Sequence, residues 1–167
     1  DGECAVIATD IPAEEQGTGM LFNMDGEVVG MISSSVWNDT GKNVVNAYGI
    51  SDLKPIIELL INGKSVPYIG IYGTTVTEQL AEEHKMPSGI YVADVDPDSP
   101  AMAAGIQIGD IICEASGEEI KDIAAYQNIV IGSSVGETME FVGKRLGSDG
   151  YVNIKFSVVT TEKEEVK

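Results

Sequence analysis

The alternation of apolar and polar residues predicts short strands in the first fifty residues. Apolar runs of strand length are separated there by polar or glycine-containing segments. Asp25 and Gly26 lie between two of these runs, and this pair is typical of a two-residue hairpin turn in which both residues have positive φ. The predicted strands are at residues 4–9, 19–24, 27–33 and 44–48, the last following the polar loop 38–43.

One helix is predicted to follow these strands. Ser51 is a suitable N-cap, Asp52 suits the positive end of the helix dipole, and Pro55 is early enough in the helix to be tolerated. Asn62-Gly63 is predicted to end the helix. The apolar residues that form a single stripe at helical spacing are Leu53, Ile56, Ile57, Leu60 and Ile61.

The rest of the chain is predicted to mix strands with short helices. The clearest helix begins with Ser99 as N-cap and Pro100 in the first turn, and it ends at Gly105. Strands are predicted at residues 68–73, 89–95, 109–115, 137–146 and 151–160, with a turn at 147–150, and two further helices at 77–84 and 122–131.

Composition and charge narrow the classes of partner. A hydrophobic fraction of 43% indicates a packed globular protein, and 167 residues allow one domain and part of a second. The net charge of -17 disfavours nucleic acids and anionic membranes, because both would repel it. A protein or peptide partner is therefore expected. The sequence has neither a membrane-spanning run nor a signal-peptide pattern, and its start at Asp1 predicts a fragment of a longer protein.

Four segments resemble, in order and spacing, the PDZ domains of the HtrA family of serine proteases. They are Tyr68-Ile-Gly-Ile71, Gly89-Ile-Tyr-Val-Ala-Asp-Val95, Ser99-Pro-Ala-Met-Ala-Ala-Gly105 and Gly109-Asp-Ile-Ile-Cys113. The resemblance implies a PDZ domain at residues 65–161. Such a domain binds an extended peptide as an added strand and holds its terminal carboxylate with backbone N–H groups.

The resemblance also implies which residues bind the peptide. The carboxylate loop would consist of Tyr68, Ile69, Gly70 and Ile71, and the opposite wall of the groove would contain Tyr126, Gln127 and Val130. Ile69 and Ile71 would line the pocket for the last peptide side chain, which predicts an apolar terminal residue. An alternative is that Ile129 and Val130 belong to the core, so that only Tyr126 or Gln127 reaches the groove.

The upstream block resembles the last strands of the trypsin-like barrel in the same family. Active members have Gly-Asn-Ser-Gly-Gly-Pro in the nucleophile loop, whereas this chain has Gln16, Gly17, Thr18 and Gly19 in the corresponding segment. Gly17 aligns with the serine, and an alignment shifted by one residue places Thr18 there. Glycine has no nucleophile, so we predict no catalytic residue in this loop.

Other reactive residues are interpreted as structural. The only histidine, His84, is expected to be solvated near a helix C-terminus. No cofactor or metal site is predicted. The remaining candidates are the serines at 33–35, read as a loop, the solvated acids Asp10, Glu14 and Glu15, and the buried thiols Cys4 and Cys113.

The expected fold class is mainly β with short helices (α+β). The predicted organisation is an incomplete trypsin-like barrel at residues 1–50, a linker helix at 51–64, a PDZ domain at 65–161, built as a partly open barrel or sandwich with two helices, and a charged tail at 162–167. The function expected from the resemblance is capture of C-terminal or extended protein segments by an extracytoplasmic HtrA-like pseudoprotease. Alternatives are the C-terminal half of an HtrA-like serine endopeptidase, and homo-oligomer formation or strand exchange through residues 1–50.

Overall fold

The computed structural model describes residues 6–12, 17–33 and 44–162. The chain divides into two units, one spanning Cys4–Ile61 and the other running from Asn62 onward. Both are built mainly from antiparallel strands with short helices, and neither contains a closed sheet among the described residues, which confirms the predicted fold class. The predictions that lie outside the described residues concern Cys4, Glu14, Glu15, Gln16, Ser34, Ser35, the loop at 38–43 and the tail at 163–167.

The first unit is a four-stranded antiparallel sheet with one helix. Its strand order is β1-β4-β3-β2, and α1 packs against β3 and β4. Met20, Phe22 and Val6 are each more than half exposed on this sheet. The elements are β1 Val6–Pro12, β2 Gly19–Phe22, β3 Val28–Ile32, β4 Val44–Gly49 and α1 Ile50–Ile61.

The connection between β2 and β3 differs from the predicted two-residue turn. Only Gly26 has positive φ, at 81°, whereas Asp25 does not. The side-chain oxygen of Asn23 accepts hydrogen bonds from the N–H groups of Asp25 at 3.0 Å and Glu27 at 2.9 Å. This Asx arrangement extends the loop over residues 23–27, so the prediction of positive φ at both Asp25 and Gly26 is wrong.

The helix α1 begins earlier than predicted. Ile50 is its first residue, so Ser51 lies in the first turn and does not cap it. Pro55 lies inside the helix, and Gly63, at φ 66°, follows its end as predicted.

The second unit contains the remaining strands and three helices. The strands are β5 Pro67–Tyr68, β6 Ile71–Val76, β7 Gly89–Val95, β8 Ile111–Ala115, β9 Glu118–Glu119, β10 Thr138–Gly147, β11 Gly150–Val159 and β12 Thr161–Glu162; the helices are α2 Glu78–His84, α3 Pro100–Ala104 and α4 Ile123–Gly132. Strands β11-β10-β8-β7-β6 form one sheet in this order, β9 pairs with β8, and β5 pairs with β12.

Side-chain caps begin all three helices of the described part of this unit, and the cap at Ser99 confirms the prediction. The side chains of Thr77, Ser99 and Asp122 each accept a hydrogen bond from an N–H in the first turn of α2, α3 and α4. Gly105 ends α3 in the left-handed conformation, at φ 88°.

The predicted single strand at 68–73 is interrupted. Gly70 has φ 86°, which lies outside the β region, so the segment forms β5 and β6 with a break at Ile69 and Gly70.

A single apolar core holds the second unit together. It includes Phe141 from β10, Ala101 from α3, and Tyr126 and Val130 from α4. At its margin, Asp110 is buried and forms two hydrogen bonds with the guanidinium of Arg145, from Nε at 2.6 Å and from Nη2 at 2.8 Å. These contacts fix the sheet on which the candidate site is built.

Candidate functional site

Residues 68–71 form a short loop between β5 and β6. Antiparallel pairing of Tyr68 with Thr161, and of Pro67 with Glu162, fixes the point at which the loop begins. The two strands lie far apart in sequence, so the loop is held by a non-local contact.

The carbonyl groups of the loop are bound, whereas its first amides are not. The N–H of Asp96 donates to the Gly70 carbonyl, and the N–H of Ala101 donates to the Ile69 carbonyl, both at 2.9 Å. The N–H groups of Ile69 and Gly70 have no acceptor among the described residues. Both residues are buried, so these are two buried donors that lack a partner.

Gly70 is required at its position for two reasons. Its φ of 86° is strained for any residue with a side chain, and a Cβ there would lie 2.3 Å from Ser99 Cβ and 2.8 Å from the Tyr68 hydroxyl. The turn that leads into α3 therefore packs directly against the loop.

Two tyrosine hydroxyls meet on one carboxylate beside the loop. Tyr68 and Tyr72 both donate to Oδ2 of Asp96, the second at 2.8 Å. Burial and the hydrogen bond to Asp96 raise the pKa of the Tyr68 hydroxyl above its usual value. Tyr72 and Asp96 were not predicted as site residues. The one available signal was that Asp96 directly follows the strand predicted at residues 89–95.

The main chain of β6 faces away from β7 at alternate residues. Val92 of β7 uses its N–H and C=O for hydrogen bonds to residues 109–110, on the β8 side, so they do not reach its partner Gly73. The N–H and C=O of Gly73, and of Ile71 and Thr75 two residues away on either side, therefore point toward the free edge. Among the described residues, β6 has no second strand neighbour.

The helix α4 lies beside this edge. It packs against β5 and β6, and the N–H of Ile123 donates to Oγ1 of Thr75 at 3.1 Å. The free edge of β6 is thus bordered by α4, and the two elements have the geometry of a groove between a strand and a helix.

The predicted groove side chains are mostly buried in this conformation. Ile69 and Ile71 are each 1% exposed, Tyr126 is 2% and Val130 is 6%, whereas Gln127 is half-buried. The hydroxyl of Tyr126 is buried without a hydrogen-bond partner among the described residues. Burial is the main cause that raises the pKa of this hydroxyl, and the nearby Tyr68 is a smaller one. The structure therefore places the edge of β6 beside α4, with most of the predicted groove side chains buried in the domain.

A separate cavity of about 980 Å³ lies behind the loop. It is lined by the turn into α3, by α3 itself and by β11 and β12, and it shares Tyr68 and Asp96 with the loop. No residue of β6 or α4 lines it, so it is distinct from the groove.

The residues considered for catalysis belong to different units of the chain. Gly17 and Thr18 are exposed, Gly19 begins β2, and His84 is exposed at the end of α2 in the other unit. Over the described ranges, no group of three or more His, Cys, Asp or Glu side chains is placed to hold a metal ion. Within the part of the chain that the structure describes, no helix has the length and apolar character needed to span a membrane.

Ser33 directly follows β3, as predicted for a loop position. Cys113 lies in β8 as a free thiol that is half-buried and not fully buried as predicted, and burial raises its pKa.

Comparison with known proteins identifies the module. Residues 91–145 match the family model described as PDZ domain. Over 155 residues the chain is 30% identical to a probable periplasmic serine endoprotease, DegP-like, of Halomonas elongata, an alignment that covers 89% of this chain and 32% of the relative. The chain spans about a third of the length of the relatives it matches.

Solved structures show the same fold. A serine endoprotease from Yersinia pestis is 26% identical with a TM-score of 0.51, covering 87% of this chain and 47% of that one. The HtrA-type protease AlgW with decapeptide is 20% identical with a TM-score of 0.56, over 84% of this chain and 44% of that one. This second match shows a likeness of fold alone. The chain therefore contains a PDZ domain, a peptide-binding module, and over most of its length it is similar to HtrA-type serine proteases.

Proposed function

We propose that this PDZ domain captures the C-terminal or extended segments of other proteins by adding them to β6 as a further strand. The observation that carries the proposal is the pair of buried N–H groups at Ile69 and Gly70 without an acceptor. An unpaired buried donor costs about 1–3 kcal/mol, and a ligand carboxylate would provide the missing acceptor.

The register of β6 supports strand addition. The outward N–H and C=O groups of Ile71, Gly73 and Thr75 form the ladder that an antiparallel or parallel ligand strand needs. A ligand carboxylate at the loop and a ligand strand along the edge would occupy one continuous path. Because Ile71 and Val130 are buried against the domain, entry of a terminal apolar side chain requires α4 to separate from β6 at this end.

Free and blocked peptides test the carboxylate role. The test titrates the chain with a fluorescent peptide that ends in valine, once with a free carboxylate and once as the amide. We expect the amidated peptide to bind roughly tenfold more weakly than the free-carboxylate peptide, or weaker still, because charge-assisted hydrogen bonds to the loop are lost. Equal affinities for the two peptides would contradict the proposal.

A pair of glycine variants tests the loop. Gly70→Ala introduces a clash and strain, whereas Gly117→Ala introduces strain at the same φ of 86° with no atom within 4 Å of the new Cβ. We expect Gly70→Ala to abolish the preference for the free carboxylate and Gly117→Ala to retain it. Loss of the preference in both variants would show that general destabilisation is responsible.

We further propose that the protein is a non-catalytic member of the HtrA group. The support is the exposed Gly17 or Thr18 in the position of the serine. The alternative is the C-terminal half of an endopeptidase regulated by its PDZ domain, which the names of the relatives favour. A serine-directed fluorophosphonate probe and an unfolded substrate separate the two, since labelling of Thr18 or cleavage of the substrate would support the protease.

The location that we propose is extracytoplasmic, since matched relatives are named as periplasmic proteins. Localisation of a tagged copy by cell fractionation tests this.

A further inference from the structure

Asp96 makes contacts with both sides of the carboxylate loop. Its N–H donates to the Gly70 carbonyl at 2.9 Å, and its Oδ2 accepts from the hydroxyls of Tyr68, at the start of the loop, and Tyr72, just after it. The same turn supplies Ser99, which packs against the α-carbon of Gly70.

A carboxylate at this place is unexpected for a loop that binds an anion. Its negative charge lies one hydrogen bond away from the Tyr68 hydroxyl, which itself lies 2.8 Å from the position of a Gly70 Cβ. A second carboxylate nearby would be repelled. The carboxylate of Asp96 therefore serves as a hydrogen-bond acceptor here, and its charge is a cost of that role. The hydroxyls of Tyr68 and Tyr72 both donate to Oδ2 and thereby weaken the electric field of the charge.

We infer that Asp96 is a positioning residue for peptide binding: by holding Tyr68 and Tyr72 on one oxygen it fixes the two ends of the loop and the spacing of the amides at residues 69–71. This inference rests on the proposed capture of a peptide carboxylate. It assigns Asp96 no contact with the ligand.

The role depends on an acceptor and does not depend on a charge. An amide oxygen has two lone pairs and can accept from both hydroxyls, so Asp96→Asn preserves the arrangement and removes the charge. Asp96→Ala removes the acceptor and leaves Tyr68 and Tyr72 unconnected. A matched control is Asp94→Asn, because Asp94 is an exposed acid on the same strand β7 whose carboxylate accepts from the N–H of the neighbouring Val95.

The first measurement is the ratio of affinities for the free and amidated valine-terminated peptides, determined by fluorescence anisotropy with the full chain. We expect Asp96→Ala to lower this ratio by roughly tenfold, which is the effect of losing about one charged hydrogen bond from the loop support. Asp96→Asn should keep or raise the ratio, and Asp94→Asn should leave it unchanged. An unchanged ratio in Asp96→Ala would overturn the inference.

The second measurement needs no peptide. The N–H of Ala101, which is bonded to the Ile69 carbonyl, reports loop order through its hydrogen-exchange rate in the ligand-free chain. Tyr72→Phe and Asp96→Ala should both accelerate this exchange by roughly tenfold, and Asp96→Asn should not. Tyr72→Phe removes one hydroxyl from a half-buried ring, so it serves if Asp96→Ala fails to fold.

The outcomes of the two measurements are separable. A wild-type chain that binds both peptides equally overturns the proposed function, whereas exchange at Ala101 that is unaffected by Tyr72→Phe overturns the positioning role of Asp96.

Discussion

The two units of the chain bury their apolar side chains to very different extents. In the second unit, sixteen buried residues form one core that draws on the sheet, α3 and α4. In the described part of the first unit, Ala47 is the only fully buried hydrophobic side chain, while Phe22 is 56% exposed and Met20 61%. Both units contain antiparallel ladders among the described residues, so hydrogen-bonded strands alone do not distinguish them.

The difference shows which interactions stabilise each unit. Backbone hydrogen bonds contribute little net free energy, and a sheet becomes stable when a face is buried. The second unit has this burial within itself. The first presents apolar side chains on an open sheet, which is a typical surface for association. Self-association or strand exchange through residues 1–50 remains our proposal, and light scattering over a range of concentrations tests it.

The largest expected effect comes from the same substitution made in each unit. Phe141→Ala should lower the free energy of unfolding of the second unit by about 3–5 kcal/mol, because Phe141 is fully buried and a cavity would remain. Phe22→Ala should change that of the first unit by less than about 1 kcal/mol. Denaturant titration followed by residue-resolved NMR measures both. A large loss in Phe22→Ala would show that this face is covered in solution.

A smaller effect is expected at the margin of the second core. Asp110→Ala should destabilise this unit by about 3 kcal/mol, because it leaves the partly buried Arg145 guanidinium without its carboxylate. Lys144→Ala, next to Arg145 on β10, is the control and should cost less than about 1 kcal/mol, because the hydrogen bond of Lys144 to Asn153 is exposed to solvent. Equal losses in the two variants, measured by thermal unfolding, would show that the Asp110–Arg145 pair has no special role.

The smallest effect has the opposite sign. Tyr126→Phe should stabilise the ligand-free second unit by about 1 kcal/mol, because the hydroxyl of Tyr126 is buried without a partner. The midpoint of chemical denaturation measures this. A loss of stability instead would show that the hydroxyl has a partner, such as an internal water molecule.

Local signals in the sequence predicted much of the second unit. The helix at residues 99–105 was predicted from Ser99, Pro100 and Gly105, each of which favours its position through short-range chemistry. Strand β7 was predicted with its observed bounds because its apolar run is flanked by clear turn residues.

Features that depend on contacts distant in sequence were not predictable. The break at Ile69 and Gly70 depends on the hydrogen bonds to Asp96 and Ala101, which a reading of residues 68–73 alone cannot reveal. The arrangement of Tyr68, Tyr72 and Asp96 likewise arises only when β6 pairs with β7. The hairpin between β2 and β3 was predicted, but its turn geometry was not, because the Asn23 side chain accepts hydrogen bonds from the N–H groups of Asp25 and Glu27.

The pairing of β5 with β12 determines how the second unit is connected to its surroundings. The strand that enters this unit and the strand that leaves its last long hairpin lie side by side, about 5 Å apart, at the start of the carboxylate loop. The polypeptide segments before Pro67 and after Glu162 are therefore attached at the same edge. A force or a displacement on either segment acts first on the paired residues Tyr68 and Thr161, at the start of the carboxylate loop. The attachment of this unit to the rest of the chain and the proposed capture of a peptide therefore depend on the same strand pair.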